Sequence, residues 1–296
     1  MFSLAIAGIF IGVMLGLTGG GGSLLTVPAL IYLGDLPIKD AIATSLLIVA
    51  LTSMFALMLQ VRLGNINWRI GLKFSFLSMV GAYLGARIAI FIPELIILGL
   101  FYIIMVACGY TMIIKINVHH PDDQSGPHDN LNLKSLKLIA VGLAMGAFTG
   151  LVGAGGGFLV VPILVLLTGL SMQIAVGTSL LVVTSKCIAG LIGYSAHATV
   201  HYEYVFFLTT IAALGATIGV FAGHRITNKQ LQAIFGTAIL ILAITLCGYE
   251  STLALKSLFG LSLKLSVAIA TISSFVLLAW LLRSIYVKKR NLSGIN

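Results

Sequence analysis

Two glycine runs in this 296-residue chain carry the residue types best suited to chemistry, Gly19-Gly20-Gly21-Gly22-Ser23 and Gly153-Ala154-Gly155-Gly156-Gly157. Each precedes a short apolar stretch, residues 23–33 and 158–167. A helix starting at Ser23 or Gly157 aims unpaired N–H groups and a partial positive charge at the space before it, which is anion-binding chemistry. The plainer reading of such glycines is close helix packing in a membrane. Thr44-Ser45 and Thr178-Ser179 follow at matched distances, and their hydroxyls suit the same anion. Their plainer use is a bond back onto their own helix. Lys186 is the one charge well inside an apolar run, with no acid in its own segment. It reads as a counter-charge to an anion facing a cavity, or as a side chain snorkelling toward an interface.

The surrounding chain is membrane material. Hydrophobic residues make up 59% and charged residues 8%, against roughly 45–50% and about 25% in soluble domains. Mean hydropathy is +1.12. A soluble fold of this composition would expose apolar area beyond what monomers tolerate. The net charge of +9 therefore reads as orientation by basic loops rather than as nucleic-acid binding. All eight acids lie in loops or at span ends, which disfavours a cation substrate or a carboxylate proton relay. The three cysteines sit in apolar runs, so neither a disulfide framework nor a Cys-rich metal site is expected. The segment with His119, His120, Asp122, Asp123, His128 and Asp129 has metal-ligand residue types but reads as a solvated linker. His197 and His201 are candidates to titrate near neutral pH and gate transport, with interfacial polarity the plainer role. No cleavable signal peptide, nucleophile–base constellation or nucleotide loop is recognisable. The chain is expected to be no enzyme, to need no cofactor or metal, and to have a small anion and the lipid bilayer as partners. A homo-oligomer is left open.

A span needs about 20 helical residues. Segments 41–61, 69–93, 95–114, Met172–Tyr194, 204–223, 230–249 and 265–282 meet that length. The uncharged stretch 138–185 would be about 72 Å long as one helix, so it must break at its glycines, as must 1–34. A shift of 134 residues aligns 12–49 with 146–183 at 18 identities in 38, including the glycines, Pro28 with Pro162, and both Thr-Ser-Leu-Leu runs. The chain is an internal repeat. If each broken element crosses the bilayer, the halves are parallel; if each is a re-entrant hairpin, they are inverted. Placing the basic C-terminal cluster in the cytoplasm gives twelve basic residues inside and four outside for hairpins, against eight and eight for crossings. The positive-inside rule favours inversion. The expected organisation is a first repeat over 1–115, a polar linker over 116–134, a second repeat over 135–250, and an extra transmembrane helix with a basic tail over 251–296. The expected fold is an all-α polytopic membrane protein of two inverted repeats. Each would be a glycine-broken re-entrant hairpin plus three transmembrane helices.

Gly16-Leu17-Thr18-Gly19-Gly20-Gly21-Gly22-Ser23 … Pro28, Gly150-Leu151-Val152-Gly153-Ala154-Gly155-Gly156-Gly157 … Pro162 and the Thr-Ser-Leu-Leu runs resemble the TauE/SafE family of membrane permeases, often called sulfite exporters. The loop from Arg62 to Trp68 resembles that family's Gly-x-x-Asp-Trp-like loop, with 198–202 as its counterpart. The likeness covers about residues 5–249; the span at 265–282 and Lys186 fall outside the family pattern. The resemblance implies export or uptake of small sulfur-containing anions such as sulfite, sulfoacetate or thiosulfate, in the inner membrane. The bottom-up alternatives are a passive anion channel and a non-transporting assembly partner. The residues expected at the anion are Gly19, Gly20, Gly21, Gly22, Ser23, Thr44, Ser45, Gly153, Gly155, Gly156, Gly157, Thr178, Ser179 and Lys186.

Overall fold

The structure, a computed structural model, describes residues 2–89, 91–92, 131–152, 157–195, 198–227 and scattered single positions as far as 237. Gly153, Gly155, Gly156, His197 and the histidine-bearing linker lie outside the described residues, as do almost all of the segments 95–114, 230–249 and 265–282. The chain divides into one unit of residues 1–98 and 122–231 and another of 99–121 and 232–296. All eight described helices belong to the first unit, and no strand occurs among the described residues.

The first half supplies α1 (Phe2–Thr18), α2 (Ser23–Tyr32), α3 (Ile38–Arg62) and α4 (Trp68–Ala89). The second supplies α5 (Leu131–Val152), α6 (Gly157–Thr168), α7 (Met172–Tyr194) and α8 (Tyr202–Arg225). The first uncharged stretch therefore breaks at its glycine run, with α2 beginning at Ser23, and in the second α5 ends at Val152 and α6 begins at Gly157, either side of residues 153–156. Helices α3, α7 and α8 are long and apolar enough to cross a membrane. The segment 69–93 forms α4, but Arg69, Lys73 and Arg87 make it more polar than those three.

Local signals set the ends. Pro37 precedes α3, Asp40 stands in its first turn and Arg62 in its last, each favourable to the helix dipole. Gly64, at φ +72°, ends α3 with its N–H on the Val61 carbonyl. Gly169 ends α6 at φ +69°, and its repeat counterpart Asp35 adopts φ +52°, a conformation that short polar side chains tolerate.

The halves interlock through equivalent contacts. Helix α1 packs on α8 and α5 packs on α4, in both cases through glycines that let the backbones touch. A Cβ at Gly12 or Gly16 would collide with the carbonyl of Ala212 or Ala216. At the corresponding Gly146 and Gly150 it would collide with the carbonyl of Ser78 or Ala82. Residue numbers rise together along both pairs, so α1 runs parallel to α8 and α5 to α4. The repeat-equivalent helices α3 and α7 instead cross antiparallel, since Leu46 faces Gly190 while Ser53 bonds Thr184 at 2.9 Å.

After Thr18 the chain turns back. A Cβ on Gly22 would strike the Ile11 carbonyl and Leu15, and Leu4 and Leu30, from the far ends of α1 and α2, share one buried cluster with Leu36, Ala41, Ile48, Val205 and Leu208. This hairpin places the first glycine run in the protein interior.

Candidate functional site

The first break is built by Thr18 and two left-handed glycines. Thr18 Oγ1 donates to the Met14 carbonyl at 2.5 Å and accepts the Gly21 N–H at 2.9 Å. Gly19 and Gly20 then take φ of +70° and +141°, which glycine alone adopts without strain. The Gly19 N–H bonds the Leu15 carbonyl, and the Ser23 N–H and hydroxyl both bond the Gly20 carbonyl, at 3.2 and 2.6 Å. The N–H groups of Gly20 and Gly22 have no partner among the described residues. Gly19, Gly20, Gly21, Gly22 and Ser23 are all buried.

The first break meets the start of α6. A Cβ on Gly20 would run into the backbone of Gly157, the first residue of α6, and one on Gly157 would run into Gly20. Ser179 joins them, donating to the Gly19 carbonyl at 2.6 Å and to its own helix at Val176, 2.7 Å away. Of the residues expected from sequence, Gly19, Gly20, Gly157 and Ser179 thus come together across the halves. Close backbone packing and N–H groups without a partner among the described residues thus occur at the same glycines.

The remaining hydroxyls are employed otherwise. Ser45 donates to Ile42 of its own helix at 2.8 Å. Thr178 accepts the Asn67 N–H at 3.0 Å and Thr44 accepts the His201 N–H at 3.2 Å. These two bonds are repeat equivalents, each tying α3 or α7 to the loop that opens α8 or α4. Sequence reasoning placed the threonines on the anion and did not find these loop partners, because a backbone N–H leaves no trace in residue type.

Lys186 is wholly buried rather than snorkelling, and its ammonium donates to Thr149 Oγ1 on α5 at 3.3 Å. Thr149 was not singled out from sequence. A second polar cluster joins the start of α3 to the loop before α8. There Asp40 accepts the Thr199 N–H at 2.9 Å and hydroxyl at 2.6 Å, and His201 Nε2 lies 3.5 Å from its carboxylate. Among the described residues no group of three His, Cys, Asp or Glu side chains could hold a metal ion.

The comparisons with known proteins place this apolar helical chain among membrane transporters. The model of the sulfite exporter TauE/SafE family matches residues 4–246. The chain belongs to the TauE/SafE family. It is a membrane transporter of that family, which is not a family of enzymes. A probable membrane transporter protein of Xylella fastidiosa is 30% identical over 241 residues, covering 80% of this chain and 91% of the relative. Probable membrane transporter proteins of Methanocaldococcus jannaschii and Bacillus subtilis are 28% and 27% identical, over 81% and 78% of this chain and 93% and 92% of theirs. No solved structure matches significantly. The family match ends at residue 246, so the apolar segment at 265–282 lies beyond the region this TauE/SafE protein shares with its family.

Proposed function

We propose that this TauE/SafE protein is a secondary carrier of small sulfur-containing anions, sulfite and organosulfonates such as sulfoacetate. It exports them across the inner membrane by alternating access around the two glycine breaks. The halves are inverted repeats of a re-entrant hairpin and three spans, followed by an extra span whose C-terminus is cytoplasmic. The antiparallel crossing of the equivalent helices α3 and α7 supports inversion, and the return of Gly22 onto Ile11 and Leu15 supports re-entrance. Inverted repeats with broken helices hold substrate where the breaks meet, near the midplane.

The observation that carries the proposal is the buried approach of Gly20 to Gly157. It sets the N-terminus of α6 in one interior region with the N–H groups of Gly20 and Gly22, which have no partner among the described residues. Irregular backbone at that depth is tolerated only where protein or a cavity surrounds it, and helix N-termini favour an anion there. The family's description supports the sulfur chemistry and the outward direction. In proteoliposomes loaded with unlabelled sulfite or sulfoacetate, labelled anion enters by saturable counterflow. Non-saturating flux without counterflow would identify a channel. Absence of flux with every anion tried would leave a non-transporting role.

A further inference from the structure

Lys186 stands past the middle of α7 with no solvent exposure. An ammonium carries three N–H donors, and among the described residues this one has a single partner, Thr149 Oγ1 at 3.3 Å. Thr149 spends its own hydrogen on the Met145 carbonyl at 2.8 Å, so it holds the ammonium as an acceptor. Among the described residues no carboxylate reaches Lys186, and the one acid–base pair is Asp40 with His201. A buried, uncompensated cation costs several kcal/mol.

The fold does not require that cost. In the first half the positions of Lys186 and Thr149 are taken by Thr52 and Leu15. Thr52 bonds the Ile48 carbonyl of its own helix at 2.7 Å, and Leu15 is fully buried. The same helix crossing is thus made once without charge and once with a lysine and its acceptor. Both members of the pair differ from their repeat equivalents together. Thr149 also lies one turn of chain before the second glycine run.

We propose that Lys186 and Thr149 form an oxyanion subsite, present in the second half alone, that holds the headgroup of one anion per chain. Headgroup oxygens accept the two Lys186 N–H groups that have no partner among the described residues, and Thr149 is a positioning residue that fixes the ammonium through the third. A sulfite or sulfonate group, with several acceptor oxygens on one centre, fits this donor pair. The inference rests on the anion-carrier reading and gives its site a side and a stoichiometry.

The test is calorimetric titration of the purified full-length protein in detergent with sulfite and with sulfoacetate, alongside thermal melting. The wild type is expected to bind one anion per chain. Lys186→Met weakens binding by about 10- to 100-fold, the range for losing hydrogen bonds to a charged group. Without ligand Lys186→Met melts no lower than wild type, since an uncompensated buried charge is gone, and it loses the anion-induced rise in melting temperature. Thr149→Val weakens binding less, Thr149→Ser restores it, and Thr52→Val leaves it unchanged. Undiminished binding by Lys186→Met, or two equal anions per chain, would overturn this subsite while leaving the carrier reading in place. No binding of either anion by the wild type would overturn both.

Discussion

Thr44 and Thr178 show how a membrane hydroxyl can serve architecture between halves rather than its own helix or a ligand. Each accepts a loop N–H from the other repeat, His201 or Asn67, which is otherwise left in a largely apolar setting. Removing the acceptor from such a donor costs about 1–3 kcal/mol. Thr178→Val is therefore expected to lower the melting temperature of the detergent-solubilised protein by several degrees, with Thr178→Ser close to wild type. Equal melting of the valine variant would show that the bond contributes nothing. Both threonines were legible because each half repeats them in the same register. Thr149 was not: its repeat partner is Leu15, so the comparison of halves that exposed the other positions concealed this one.

Helices assemble here through glycine seams. Gly12 and Gly16 on α1 abut the α8 backbone at Ala212 and Ala216, and Gly146 and Gly150 on α5 abut α4 at Ser78 and Ala82. Gly215, Gly219, Gly81 and Gly85 complete the seams from the other side. A leucine at these places meets main chain, which cannot yield, so the usual overpacking cost reaches its upper range of about 3 kcal/mol. Gly16→Leu and Gly150→Leu are expected to impair folding to a similar degree, read as the fraction of monodisperse protein after solubilisation. Gly64, with open space around it, accepts alanine with a smaller loss, confined to its left-handed φ of +72°. The broken helices, their starts at Ser23 and Gly157, and α7 over Met172–Tyr194 were readable from charge-free length and glycine position. The partner of each helix was not, because glycines that permit close approach do not say which backbone approaches.

Across the whole molecule, inversion gives one sequence motif two environments. Lys39 and Gln173 are repeat equivalents in the first turns of α3 and α7. Inverted halves put them on opposite membrane faces, whereas parallel halves put them on the same face. In a variant whose Cys108, Cys187 and Cys247 are replaced, Lys39→Cys is expected to react with an impermeant thiol reagent from outside intact cells. Gln173→Cys is expected to react only after the membrane is opened. Labelling of both from one side would contradict inversion. The charge count of the loops had already favoured this arrangement, and the antiparallel pair Leu46–Gly190 and Ser53–Thr184 adds support from packing. The Asp40–Thr199–His201 cluster has no such echo, because its counterparts are Ile174, Asn65 and Asn67. Lys186 likewise stands opposite Thr52. The two halves therefore carry unlike polar groups at equivalent positions.

If an anion is held where Gly20 approaches Gly157, Gly157→Val removes it. A side chain at that position runs into the Gly20 backbone, and Lys186 and Thr149 keep their own residue types. The measurement is equilibrium binding of labelled sulfite to wild type and variant, with equal melting behaviour confirming that both are folded. The folded variant is expected to lose binding by at least about tenfold, the equivalent of one lost hydrogen bond to a charged group. A folded Gly157→Val protein that binds sulfite as wild type does would contradict it.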